Sequence, residues 1–360
     1  MKISIISSAY DEECGINHYT TSLESVLSVQ YERIGIKSYS LDFLHYIRRT
    51  WSAVTNDSDI IHLQHEYNMF GPGSICSWPV IFLLILSKIF ARKRIVITLH
   101  TAWESETLER FVFPLNLLGR FYIWLNNQLL VWCADHMIFL SENVEEYFIN
   151  NFNVKSTTRV PHGVQAQKVD LTRNEARDIL GWDVEAEIVI LPGYIRPQKN
   201  HESFLSLAEE DKSRQYVIAG GVRNNKFEQY SEKLRSKSSE NVEITGVLND
   251  EEFEAAFIAA DLCYLPYQDV SQSGIVNWSL ASGLPVFGSE IKYFRELSES
   301  TEAVKIVGIS PEGVIPEIRS YFDNEKLRTR MSNSAQEFAK NNSMKEVADE
   351  HIRIYRSFFD

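Results

Sequence analysis

Only four of the 360 residues are cysteine, at positions 14, 76, 133 and 263, with no Cys-x-x-Cys pair. That scarcity excludes a small disulfide framework and fits a reduced, cytoplasmic chain. Basic residues are the minority, 36 Lys and Arg against 49 Asp and Glu, and the formal charge of −13 opposes nonspecific attraction to phosphate backbones, so no nucleic-acid partner is expected. No apolar run approaches the roughly 20 residues that a bilayer span needs. The opening Met-Lys-Ile-Ser-Ile leads straight into turn residues and is not expected to be a signal peptide. Low-complexity segments and repeats of 20–50 residues are lacking too. What is present, 44% hydrophobic and 24% charged residues, is globular, and the length suits about two domains.

Charge is unevenly divided. Residues 1–163 hold 13 bases and 16 acids, leaving 23 bases and 33 acids for the rest. No acid occurs between Tyr67 and Thr101, where the apolar run 78–86 is followed by Lys88, Arg92, Lys93 and Arg94, nor between Phe111 and Ala134. Segments 78–94 and 111–124 therefore have the composition of helices lying on an anionic membrane surface, although packing against a sheet explains the apolar residues equally well. A cytoplasmic protein, peripheral on the inner face of a membrane, is one expectation.

Short apolar runs alternate with helix-like segments, which predicts an α/β protein with parallel sheets. Strands are expected at 2–7, 35–41, 59–65, 94–100, 136–140 and 157–160. After a polar stretch the pattern restarts at 187–192, 215–219, 241–245, 261–265, 284–287 and 303–307, giving two doubly wound halves. Helices are expected at 324–341 and 344–358. Ligands of such sheets bind at the carboxyl ends of strands, and position relative to the strands ranks the motifs.

The first turn carries Gly15 ahead of a helix beginning near Ile16; it lacks the Gly-x-Gly-x-x-Gly pattern of dinucleotide oxidoreductases. The third strand runs into His65-Glu66-Tyr67 and the fourth into His100, two polar ends that would face one crevice if the strands are neighbours. Strand capping by these histidines is an alternative. A zinc site of His62, His65 and His100 is disfavoured, because alternation turns His62 and His65 to opposite faces. Asp57-Ser-Asp59 has the form of a metal-binding Asp-x-Asp motif but precedes its strand, at the wrong edge of the sheet.

In the second half, Gly193, Arg196 and Lys199 follow a strand and open a helix, where a cation pair suits a diphosphate. Gly220-Gly221 ends the next strand and would let a flat base or ribose approach the backbone. Ser273 and Gly274 begin a helix whose free amides suit an anion; Ser273 could equally be an ordinary N-cap.

These residues together resemble the family 4 (group 1) retaining glycosyltransferases of the GT-B fold. The resemblance runs along nearly the whole chain: Cys14-Gly-Ile, Gln64-His-Glu-Tyr67, Leu99-His-Thr101, Val160-Pro-His-Gly-Val164, 193–200, Ala219-Gly-Gly221, Ala260-Asp261, Ser271-Gln-Ser-Gly274 and Gly283-Leu-Pro-Val286. It implies two Rossmann-like doubly wound parallel-sheet domains facing a central cleft. Residues 1–165 would bind the acceptor, 166–343 the nucleotide sugar, and the 344–360 helix would cross back to the first domain.

The implied activity is transfer of a hexose from a nucleotide-diphospho-sugar to a sugar or lipid-linked glycan acceptor, with retention and without a metal or other cofactor. By the resemblance, His100, Arg196 and Lys199 are catalytic. The donor, a UDP-, GDP- or ADP-sugar, would meet Gly15, Gly193, Arg196, Lys199, Gly220, Gly221, Val247, Ser271, Gln272, Ser273, Gly274 and Ile275. Asn17, His65, Glu66, Tyr67 and His162 would meet the acceptor. Two departures stand out. Tyr194 occupies a position where the family often has Arg, and the family's Glu-x7-Glu is replaced by Ser271 and Ser279, or by Asp269 and Asn277 two residues earlier. A non-catalytic sugar-nucleotide-binding subunit of a glycosylation complex, or a GT-B sugar-nucleotide epimerase, is therefore the alternative function.

Overall fold

The computed structural model describes residues 1–12, 14–103, 116–164, 169–222, 227–270 and 273–360. By its internal contacts the chain forms two compact units, Met1–Gly163 with Met344–Asp360, and Val164–Ser343. The terminal helix Met344–Arg356 thus completes the first unit, where it packs against the helix Gly15–Val26.

The first unit contains strands β1 (Lys2–Ser8), β2 (Gln30–Ile36), β3 (Ile60–His65), β4 (Arg94–Leu99), β5 (His136–Phe139) and β6 (Thr157–Arg159). They form a wholly parallel sheet in the order β2-β1-β3-β4-β5-β6. The second contains β7 (Ile188–Pro192), β8 (Gln215–Ala219), β9 (Val242–Ile244), β10 (Leu262–Leu265), β11 (Val286–Gly288) and β12 (Val304–Ile306). Its order, β12-β11-β10-β7-β8-β9, is also parallel throughout.

Each sheet is buried on both faces, which is why its strands read as nearly continuous Val, Ile and Leu. In the first unit, Ile6, Ile61, Ile97 and Phe139 belong to one apolar cluster, while Ile5, Ile60, Val96 and Ile138 join Tyr19 and Tyr355 in another. The second repeats the plan, with Ile190, Val217 and Cys263 on one face and Leu191, Ile218 and Tyr264 on the other. In each sheet, the chain winds in opposite directions from one inner strand: β1 beside β3, and β7 beside β10. Loops leave these pairs in opposite directions and open a crevice there, so the fold marks the turns after β1, β3, β7 and β10.

Three sequence expectations require correction. The second strand is Gln30–Ile36, with Lys2 opposite Gln30, rather than 35–41. Arg33 within it forms a buried ion pair with Glu24, and these charges conceal an edge strand whose apolar signal is confined to Ile34 and Ile36. Lys93 is no surface base. Its ammonium is buried and donates to the carbonyls of Ala53, Asn56 and Ser58 and to the side-chain oxygens of Asn56 and Ser58, at 2.8–3.1 Å. Lys88 pairs with Asp135 at 3.0 Å, which leaves Arg92 and Arg94 as the exposed bases of that cluster. Among the described residues, no helix is long and apolar enough to cross a membrane.

Candidate active site

In the second unit, the turn after β7 is formed around Gly193, whose φ of +91° is a conformation that side-chain-bearing residues rarely adopt. Its N–H donates to the carbonyl of Ala219, and that of Ile195 to Gly221, which ties this turn to the end of β8. Glycine is needed at both later positions as well. A Cβ on Gly220 would lie 2.3 Å from the Gly193 carbonyl oxygen, and one on Gly221 would lie 2.7 Å from the Val247 nitrogen. Val247 itself is exposed, so an apolar platform borders the paired glycines.

Lys199 folds back over this turn. Its Nζ donates to the Pro192 carbonyl at 2.8 Å and would lie 2.6 Å from a Cβ on Gly193. Burial, followed by repulsion from Arg196, pushes its ammonium pKa down to about 7. Arg196 is exposed and precedes the 3-10 turn Pro197–Lys199. Asn200 adopts φ +54° as that turn ends. Ile275, in the helix Gly274–Ala281, closes the other side of Gly193 at 2.9 Å from the hypothetical Cβ.

That helix has Ser273 at its N-cap, whose hydroxyl makes no capping bond to the first turn, and a Cβ on Gly274 would meet only open space. Uncapped first-turn amides carry the positive end of the helix dipole. Gly193, Lys199, Gly220, Gly221, Val247 and Ile275 are thus brought together at the β7/β10 switch, with Ser273 and Gly274 beginning the adjoining helix. Ser271 and Gln272 lie outside the described residues. Ser279 is buried and donates to the Ile275 carbonyl, which removes it from any ligand contact, whereas Asp269 is exposed.

The first unit builds its switch differently. Gly15 is the first residue of its helix and belongs to this unit, whereas the other residues of the expected donor set belong to the second. The Cys14 thiol accepts the Asn17 N–H at 3.4 Å. Asn17 is committed to the loop: its amide donates to the carbonyls of Tyr10 and Glu12, and its oxygen accepts from Arg33 and Thr21. Such a saturated amide holds the turn and leaves no group for a ligand.

His65 and Tyr67 also differ from their expected exposed setting. The His65 ring is buried against Phe70 and Tyr67, and burial lowers its pKa to about 3. Tyr67 is wholly buried, donates to Asn127 and stacks on Trp103 at 4.4 Å. Glu66, between them, is half-buried and its carboxyl pKa is raised by burial. His100 and His162 converge on Tyr19, with ring centroids 5.1 and 4.9 Å from it. Burial, with adjacent His162, lowers the His100 pKa to about 3, keeping it neutral at pH 7.

Two clamps escaped the sequence reading. Asp261 accepts the Ile188 N–H and pairs with Arg177 at 3.0 Å and with Arg173, fixing the entry to β7. Asp59 accepts the Lys2 N–H, and Asp57 pairs with the Lys2 ammonium, so the Asp-x-Asp sequence fastens the amino-terminal edge of the sheet. Among the described residues no group of three His, Cys, Asp or Glu is arranged to hold a metal ion.

Comparison with known proteins matches residues 172–338 to the family glycosyl transferases group 1 and residues 2–168 to Glycosyltransferase Family 4. Among curated proteins, none matches the sequence. Solved structures of similar fold include Anabaena HepE in complex with UDP and glucose, at a TM-score of 0.70 and 16% identity, covering 99% of this chain and 100% of that one. Sucrose-phosphate synthase from Thermosynechococcus elongatus gives 0.72 and 13%, covering 100% and 99%. A glycosyltransferase from Rickettsia africae gives 0.73 and 13%, covering 100% and 98%.

Proposed function

The chain belongs to the group 1, family 4 glycosyltransferases, with the two parallel Rossmann-like sheets of the GT-B fold, and from that premise we propose that it transfers a hexose from a nucleotide-diphospho-sugar to a sugar or lipid-linked glycan acceptor with retention of configuration. The observation that carries this reading is the seating of Lys199 over Gly193, beside the uncapped helix Gly274–Ala281. Breaking the sugar–diphosphate bond builds negative charge on the leaving oxygen. Lys199, Arg196 and the first-turn amides supply fixed positive charge for it, so no metal is required. Gly220, Gly221 and Val247 form the surface for the base. UDP is the first donor base to test, since HepE has been crystallised with UDP-glucose.

In the proposed reaction the acceptor oxygen bonds to the sugar's anomeric carbon as the carbon–diphosphate bond breaks on the same face. The acceptor proton passes to the departing phosphate oxygen. His100, neutral, orients the reacting groups, with His162 and Glu66 on the acceptor side. The acceptor is held at an anionic lipid surface, a reading supported by the exposure of Trp78, Phe82, Ile89 and Phe90, and of Phe121, Trp124 and Trp132 on the neighbouring helix. Of the stretch 111–124, residues 111–115 lie outside the described residues.

The test is to incubate the chain with UDP-glucose and candidate acceptors and to read the product anomer by NMR. An α-linked product from the α-donor supports the reading, and an inverted product overturns retention. The burial of Ser279, at a position the family fills with a carboxylate, favours a second reading as a nucleotide-sugar-binding subunit without turnover. Calorimetric binding with neither hydrolysis nor transfer would select it.

A further inference from the structure

Strands β3 and β4 lie in register, with His62 opposite Val96 and Gln64 opposite Thr98. Alternation places His62 and Gln64 on one face, beside Thr98 and His100. That face is covered by the helices Gly15–Val26 and Met344–Arg356, so a block of four polar side chains lies inside an apolar layer. Unpaired polar groups there would be costly to bury, and the block is connected instead. Gln64 Oε1 lies 2.9 Å from His100 Nε2, and Gln64 Nε2 lies 3.2 Å from His62 Nε2. His62 Nε2 also lies 2.7 Å from the Thr98 hydroxyl, and His62 Nδ1 lies 2.6 Å from the Tyr355 hydroxyl of the terminal helix.

An amide has one accepting end and one donating end. With its oxygen toward His100, that ring must carry its proton on Nε2 while His62 Nε2 is bare; reversing the amide reverses both rings. The two imidazoles cannot both be protonated at Nε2, nor both bare. Tyr355 and Thr98 bond either form of His62, and Tyr355 anchors its ring from a residue 293 positions away in sequence.

We propose that Gln64 is a positioning residue which couples the tautomer of His100 to that of His62, and that Tyr355 on the terminal helix holds this relay in place. The inference deepens the catalytic reading of His100 and rests on it for its consequence in turnover. The relay belongs entirely to the first unit, built from residues whose chain positions span almost the whole sequence. Burial keeps both rings neutral, so the tautomer is the variable to be fixed.

The experiment is nitrogen-15 NMR of histidine-labelled, full-length protein at neutral pH, assigned with single His substitutions. The unaltered protein is expected to show opposite Nε2 states for His62 and His100. Gln64→Glu presents an accepting oxygen to each ring and is expected to put a proton on Nε2 of both. Identical Nε2 states in the unaltered protein overturn the coupling without any variant, as does a bare Nε2 persisting on either ring in folded Gln64→Glu. In UDP-hexose transfer, Gln64→Leu should lower kcat about 10-fold or more with KM within about 2-fold, and Tyr355→Phe should do the same to a smaller extent. If His100→Ala leaves transfer intact, the catalytic reading fails while the NMR coupling stands. Identical Nε2 states with an inactive His100→Ala remove the relay alone.

Discussion

Eight of the nine histidines lie in the first unit, and one, His201, in the second. The second unit holds the glycines that no other residue could replace at a strand end, together with the cation pair and most of the acidic excess. One architecture thus supports two kinds of site. At the β7/β10 switch the proposed working groups are backbone and charge, which require close approach and therefore glycine. At the ends of β3 and β4 the proposed groups are neutral imidazoles and an amide, which require burial and a closed hydrogen-bond network. The diphosphate is expected at the unit that offers charge, and a neutral hydroxyl at the unit that offers shielded rings.

The largest effect should come from removing the half-buried cation. Lys199→Ala is expected to lower kcat by about 10²-fold or more, and Arg196→Ala by less because its guanidinium is exposed to solvent. Steady-state kinetics with UDP-hexose check the order; a loss in His100→Ala with none in Lys199→Ala or Arg196→Ala would contradict the assignment of charge to the second unit.

Next is the glycine requirement. Gly220→Ala forces a methyl to within 2.3 Å of the Gly193 oxygen, and a loss of about 2–4 kcal/mol of stability is expected by urea unfolding. Gly15→Ala and Gly274→Ala meet no atom and should stay within about 1 kcal/mol. Similar losses at all three positions would break the contrast.

Acid should distinguish the units. Burial holds His65 and His100 down to about 3 and His351 to about 4, so between about pH 6.5 and 4 the unfolded chain binds protons that the folded first unit does not. Their stabilising contribution is complete above pH 6.5 and declines as the pH falls through this window. His201, also near 3, is the single such histidine in the second unit. Hydrogen exchange at pH 6.5 and 4.5 should show the larger loss of protection in β3 and β4, with β7 and β8 less affected.

The smallest effect concerns proton linkage at the donor site. Lys199 is half protonated near pH 7 when free, and a bound diphosphate raises its pKa, so binding takes up protons above pH 7. UDP affinity should be full below that value and weaken by at most tenfold per pH unit above it. Calorimetry in buffers of different ionisation enthalpy reads the uptake, which Lys199→Met should abolish.

Much of this arrangement was legible from residue order. Alternating apolar runs marked eleven of the twelve strands in approximate position, and glycines at the ends of β7 and β8 identified the second switch. The exception, β2, carries Glu32 and Arg33 where an apolar alternation would have announced it; Arg33 is neutralised by Glu24 on the preceding helix. Lys93 was misread for the same reason, since its five oxygen partners come from a helix end and a strand entrance that only folding assembles. His65 and Tyr67 look like site residues because polar rings at a strand end suggest exposure, but Phe70 of the following 3-10 turn stacks on His65, while Trp103 and Asn127 enclose Tyr67. The relay had a readable sign: two adjacent strands ending His-x-Gln and Thr-x-His, polar at every second position within apolar runs.

A crystal structure of the chain with UDP addresses the central claim most directly. The β-phosphate should lie within about 3 Å of Lys199 Nζ and of an amide in the first turn of the helix Gly274–Ala281, with the uracil against Gly220 and Gly221. A UDP whose phosphates contact neither Lys199 nor that helix would contradict the assignment of the leaving group to the second unit.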